Sequence, residues 1–168
     1  MSKPARVRSN VGVADEAWIA VAGLHRKNPK SSDFSIDEIM REAYALRVSG
    51  EVRPGVYVHV VQHCVANRPA KPAKHRMLFE TSEGRRRLFR LGDAAHPDRL
   101  SGKITPAREE LPSRHEDLLD WYEKWSREKR EFETEEEDPL LALRGSGKHL
   151  WADEHADDYV RRLREGWS

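Results

Sequence analysis

The stretch Val56-Tyr57-Val58-His59-Val60-Val61-Gln62-His63-Cys64-Val65-Ala66-Asn67 decides how the front of this chain is read. Its many valines favour a strand. The spacing says otherwise. At 3.6 residues per turn, Tyr57, Val60, Val61 and Cys64 fall on one face, and His59, Gln62, His63 and Ala66 fall on the other. Asn67 flanks the polar face. Pro54 suits a first helical turn, where its missing N–H is not needed, and Arg68-Pro69 stops the pattern. A helix over Val56 to Asn67 is therefore predicted, with hydrogen-bonding side chains on its outer face.

Two more helices are predicted upstream. From Val13 to Lys27, the residues Ala17, Trp18, Val21, Leu24 and His25 recur at three- and four-residue steps and share a face, and Asn28-Pro29 ends the run. A polar loop, Lys30 to Asp33, follows. Ser35 and Glu38 then form an S-x-x-E capping box, with Phe34 before it as a staple. Ile36, Ile39, Met40, Ala43 and Leu46 continue at helical spacing until Ser49-Gly50.

Downstream lies a hairpin. His75 to Thr81 and Arg85 to Leu91 flank Ser82-Glu83-Gly84, and three residues closing on Gly suit a tight turn with a bulge. The second strand carries Arg85, Arg86, Arg87 and Arg90. Charges that dense are costly to bury but suit a hairpin lying along phosphates.

Helix, helix, polar-faced helix and basic hairpin is an order that resembles a winged helix-turn-helix domain. The resemblance implies that the third helix enters a major groove of double-stranded DNA, with the hairpin beside it on the backbone. Arg68, Lys71, Lys74, Arg76, Arg85, Arg86 and Arg87 would hold phosphates. His59, Gln62, His63 and Asn67 would read base edges, because short planar side chains pair well there. His59 and His63 also have the spacing of two metal ligands on one helix face, but no third ligand is signalled nearby. No metal and no cofactor are expected.

Charge divides the chain. From Met1 to Arg108 there are 20 Lys/Arg and 11 Asp/Glu, net +9, whereas from Glu109 to Ser168 there are 10 and 18, net −8. The basic part suits a polyanion, and the acidic part would be repelled by one. The two parts should therefore face different partners. No apolar run is long enough to span a membrane, and none follows Met1 to Asn10 as a signal peptide would require. The single Cys64 cannot form an internal disulfide, which fits a reducing cytoplasmic setting. There is no Ser/His/Asp pattern, no metal-ligand cluster and no complete nucleotide loop, so an enzyme is not expected.

The acidic part opens after a loop, Gly92 to Ala107. Ser113 and Glu116 form a second capping box for a helix from Arg114 to about Arg130. Leu118, Leu119, Trp121, Tyr122 and Trp125 give that helix an aromatic stripe. It should pack on the preceding domain or on a second copy of the chain, and a homodimer would double a DNA footprint. Glu131 to Asp138 holds six acids in eight residues and reads as a solvated linker or helix tail. After Pro139, the Gly/Ser break around Gly145-Ser146-Gly147 lacks the full spacing of a phosphate loop. Asp153 is a good N-cap for a last helix to Trp167, striped by Tyr159, Val160, Leu163 and Trp167. Such an end should dock in a groove, either a partner's or its own domain's.

The tail carries a second resemblance. Leu143-x-Gly145-Ser146-Gly147-Lys148-x-Leu150-Trp151, followed by Tyr159-Val160-x-x-Leu163-Arg164-x-x-Trp167, is similar to the C-terminal tail of VapB-type antitoxins. Their partner toxin is a PIN-domain ribonuclease. The resemblance implies that Leu150, Trp151, Tyr159, Leu163 and Trp167 anchor the tail in the toxin's groove. It also implies that Arg161, Arg162 or Arg164 reaches the acidic catalytic centre, where a guanidinium can pair with carboxylates that would otherwise hold a metal. The winged-helix front differs from the small DNA-binding modules usual in that family. The expected architecture is mainly α with a β-hairpin: a winged helix-turn-helix over 13–108, a long helix and acidic linker over 109–138, and an extended, helical C-terminal arm over 139–168. The expected function is an antitoxin that binds its operator. The alternative is a winged-helix regulator whose tail folds back on itself.

Overall fold

The structure, a computed structural model, describes residues 11–137 together with Arg161 and Arg164. The chain divides into two units, Met1–Ser126 and Arg127–Ser168. In the first, helix α1 (Val13–Lys27) comes before strand β1 (Phe34–Ser35), helix α2 (Ile36–Leu46) and helix α3 (Gly55–Val58). A π-helical turn, His59–His63, extends α3, and the hairpin β2 (Leu78–Ser82) and β3 (Arg85–Leu88) follows. Three short 3-10 turns then lead to helix α4 (Asp117–Glu137). The fold is dominated by helices, with a three-stranded antiparallel sheet in the order β1-β3-β2.

Helix α1 has the bounds its periodicity predicts, but its burial does not follow one face. Every residue from Ala14 to Gly23 is buried, and Trp18 is completely so. The helix is central. It packs against α2, α3 and β3, and Trp18 meets Tyr122 of α4 edge-on at 5.7 Å. Ala and Val make such all-round burial possible, because they leave room for neighbours on every side. Gly23 is a point of close approach: a Cβ there would lie 3.3 Å from the Glu42 carboxylate of α2. Two acids pulled inside are neutralised. Asp15 meets Lys103 at 3.0 Å and Glu16 meets Arg53 at 2.7 Å.

The capping box forms as read: Glu38 N–H donates to Ser35 Oγ at 3.1 Å, and Ser35 N–H donates to Glu38 Oε2 at 2.7 Å. Those bonds to Ser35 hold the Glu38 carboxyl below its usual range. Helix α2 ends at Leu46, earlier than the Ser49-Gly50 signal, because Arg47 adopts a left-handed conformation with φ 43°. Strand β1 was not predicted. It is two residues long, too short for any alternation to register, and exists through its pairing with Arg86 and Arg85 of β3.

The third helix is shorter than Val56 to Asn67 and differently turned. Val56, Val60 and Cys64 go inside, whereas Tyr57 is 52% exposed. Residues spaced by four drift round an ideal helix. The wider π turn, closed by Cys64 N–H on His59 O at 3.0 Å, absorbs that drift. The strands are also shorter than predicted. Ser82 pairs with Arg85 across Glu83-Gly84, Gly84 takes φ 73°, and the bulge lies between Glu80 and Ser82.

The loop after the hairpin contains 3-10 turns at Pro97–Arg99, Arg108–Glu110 and Ser113–His115. Ser113 therefore begins a 3-10 turn and does not cap α4. Leu118, Tyr122 and Trp125 of α4 join the main core, as the stripe requires. Tyr122 donates its hydroxyl to Phe89 O. In the second unit, the acidic run is helical as far as Glu137, so it is a helix tail there. Arg161 and Arg164 are helical and exposed. Leu150, Trp151, Tyr159, Arg162, Leu163 and Trp167 lie outside the described residues. Among those described, no helix is long and apolar enough to cross a membrane.

Candidate nucleic-acid interface

Most of the arginines expected on phosphates are engaged inside the fold. Arg86 is 1% exposed. Its guanidinium meets Glu80 Oε1 at 3.0 Å and the carbonyls of Val60, Val61 and Arg85. Arg68 grips the same carboxylate with two bonds of 2.7 Å. The Arg68 and Arg86 guanidiniums together hold the Glu80 carboxyl below its usual range, against the opposing effect of burial, with the Arg68 bond the largest cause. Arg87 is buried in a fork on Asp93, at 2.6 and 2.8 Å, with its carbon 4.4 Å from the centre of the Phe79 ring. Arg85 pairs with Asp33 at 2.6 Å and remains half-exposed. Arg76 donates to Gly102 O at 3.0 Å and lies over Phe89. The expectation of a hairpin lying along phosphates with Arg86 and Arg87 is thus corrected. Each has a carboxylate neighbour, so burial leaves no lone charge. The hairpin tip itself carries the exposed acid Glu83.

The polar face of the third helix is also differently used. Gln62 Nε2 donates to Pro69 O at 3.0 Å. The amide of Asn67 clamps the Glu80 backbone, donating to its O and accepting from its N–H, both at 2.9 Å. His59 Nδ1 lies 2.8 Å from Gly55 O, and its ring stands 4.9 Å from His63 and 6.3 Å from His75. Residues 68–75 therefore fold back over the side of the helix that was expected to face bases. His59, Gln62 and His63 are half-buried beneath that loop.

Arg99 holds this loop, and nothing local in the sequence announced it. It is completely buried. Nε donates to Arg68 O at 2.6 Å, one terminal nitrogen donates to His63 O and His75 O at 2.7 Å each, and the other donates to Gln62 O at 2.9 Å and Pro69 O at 3.1 Å. All five N–H groups of the guanidinium thus meet a backbone carbonyl. Two of those carbonyls, from Gln62 and His63, belong to the helix end, where intrahelical donors run out; Gln62 O also accepts from Val65 N–H at 3.2 Å. Gly102 lets the strand of chain carrying Arg99 pass close by, since a Cβ there would sit 1.6 Å from Lys74 O.

Several side chains of α3 and of the segments before and after it remain exposed. Tyr57 and Val58 are exposed on α3, at 52% and 42%. Arg47 is exposed in the turn before α3, and Lys71 and Lys74 are exposed in the loop after it. None of these three cations forms an ion pair with an acid among the described residues.

No family model, curated protein or solved structure matches this chain.

Cys64 is buried beside Met77, and burial pushes its thiol up to about 12, so it remains a neutral thiol. Among the described residues, no group of three or more His, Cys, Asp or Glu side chains is placed to hold a metal ion.

Three histidines, His63, His75 and His115, are held below their usual range and predict a pH dependence. Burial first, then neighbouring His59 and Arg99, lowers His63. Burial, Lys103, His59 and Arg99 lower His75, with Asp15 opposing. Burial and Arg114 lower His115. A histidine depressed by folding stabilises the fold above its unfolded value of about 6.5. As pH falls through that value, the unfolded chain binds protons that the folded chain refuses, and stability declines until the folded values are passed. The melting temperature is therefore expected to drop between about pH 7.5 and pH 5. His63→Gln and His75→Gln should flatten that slope. A melting temperature constant over the window contradicts the assignment.

Proposed function

We propose that this chain is a DNA-binding antitoxin: a winged-helix regulator at its N-terminal end, with a C-terminal tail that neutralises a PIN-domain ribonuclease. The observation that carries the first half is the sheet order β1-β3-β2 combined with the element order α1-β1-α2-α3-β2-β3. That is a three-helix unit whose first strand closes on the hairpin, as in winged helix-turn-helix domains. The basic charge of residues 1–108 supports a polyanionic partner for it. The tail assignment rests on the Gly145-Ser146-Gly147-Lys148, Trp151 and Tyr159-to-Trp167 pattern and on the acidic charge that would keep this region off DNA.

The two halves are tested separately in the full chain. Duplex binding is expected to weaken steeply as salt rises, because neutralised phosphates release counterions. If a PIN-domain ribonuclease is encoded beside this gene, replacing Trp151 and Trp167 together by alanine should abolish its inhibition and leave duplex affinity unchanged. Retained inhibition by that variant would remove the tail from the mechanism. Salt-insensitive binding would remove the winged helix from it.

A further inference from the structure

The half-buried state of His59, Gln62 and His63 leaves a question: which side chains of α3 can reach a base pair? Resting on the duplex-binding reading above, we propose that Tyr57 and Val58 are the base-reading residues, taking the C5-methyl groups of thymines in the major groove. They are the large side chains exposed on α3 itself. Both are largely apolar, and a folded chain gains nothing from leaving two such groups in water. The thymine methyl is the one apolar feature of the major-groove edge, and apolar side chains are its natural contacts.

Charge around the pair favours a duplex over a protein surface as the occupant. Arg47 lies at the turn entering α3, and Lys71 and Lys74 lie in the loop leaving it. That loop is pinned to the helix end by Gln62 on Pro69 and by Arg99 on the carbonyls of Gln62, His63, Arg68 and Pro69. Lys74 precedes His75, whose ring stands 6.3 Å from that of His59, the residue after Val58, so the cationic loop borders the apolar pair as phosphates border a groove floor. Of the cations first read as phosphate contacts, Lys71 and Lys74 thus keep that role and the buried hairpin arginines lose it.

The test uses the full chain and a pool of random-sequence duplexes from which it selects its preferred site. The selected duplex is then made with deoxyuridine in place of thymidine, which deletes only the methyl groups and keeps every hydrogen-bonding edge. Affinity is expected to fall about four-fold for each contacted methyl. Val58→Ala, at an exposed position, should weaken binding to the thymine duplex and have little further effect on the uracil duplex. Lys71→Ala with Lys74→Ala should weaken both duplexes equally and reduce the salt slope by about 2.

Equal binding of thymine and uracil duplexes overturns the methyl contact and leaves the duplex-binding reading intact. So does a pool that binds without yielding a preferred sequence. A chain that binds no duplex at low salt overturns both.

Discussion

Arg99→Ala is expected to destabilise the N-terminal unit severely, lowering its urea midpoint by a large fraction. The side chain is completely buried, and its five donors meet the carbonyls of Gln62, His63, Arg68, Pro69 and His75. Deleting it strands the carbonyls of His63, Arg68 and His75 and opens a void, whereas Pro69 O keeps the Gln62 amide and Gln62 O keeps the Val65 N–H. Each buried acceptor left without a partner costs about 1–3 kcal/mol. Water entering the void will satisfy some of them, so a net loss of about 4 kcal/mol or more is reasonable. That is a large part of the roughly 5–15 kcal/mol that holds a typical domain together. Arg99→Lys is the sharper comparison. It keeps the charge but replaces a planar fork by a compact ammonium with three donors, so it is expected to recover only a minor part of the loss. Urea unfolding of the three proteins measures this. A midpoint for Arg99→Lys equal to that of the parent chain would show that charge alone, not the five-point geometry, holds the loop.

Glu80→Ala is the second large effect. Glu80 is the carboxylate neighbour of Arg86, which is 1% exposed, and it also takes both bonds of the Arg68 fork. Its removal leaves a buried guanidinium with carbonyl partners and no counter-charge. Breaking a buried pair from one side costs about 3–5 kcal/mol. Replacing both members is far milder, so Glu80→Ala combined with Arg86→Met should recover stability relative to Glu80→Ala alone. Thermal unfolding of the single and double variants tests the coupling directly. If the double variant is no more stable than Glu80→Ala, the damage comes from lost packing and not from a stranded charge.

These two side chains also show where the sequence was legible. Local signals were read well. Val13–Lys27 is bounded by Asn28-Pro29, and the Ser35–Glu38 box fixes the start of α2, because caps and breakers act within a few residues. The hairpin turn was legible for the same reason. What escaped needed long-range knowledge. Arg99 acts on carbonyls 24 to 37 residues away. The arginines of β3 were read as exposed because charge usually is, yet Arg86 lies opposite Glu80 across the hairpin. Glu80, Asp93 and Asp33 were all in view in the sequence. Cross-strand pairing of opposite charges was the signal that would have placed Arg86. The third helix was misread for a subtler reason: four-residue spacing of Val56, Val60 and Cys64 fits the π turn, and a strict 3.6 period does not reveal it.

The central position of α1 has a consequence for synthesis. The helix emerges early from the ribosome, but the ring of Tyr122 that covers Trp18 is made about a hundred residues later, and translation adds about 5–20 residues per second. For that interval a helix that is buried all round in the finished fold has no complete shelter. The first unit gains its cover only when α4 has emerged, so any product truncated before α4 is a natural target for quality-control proteases.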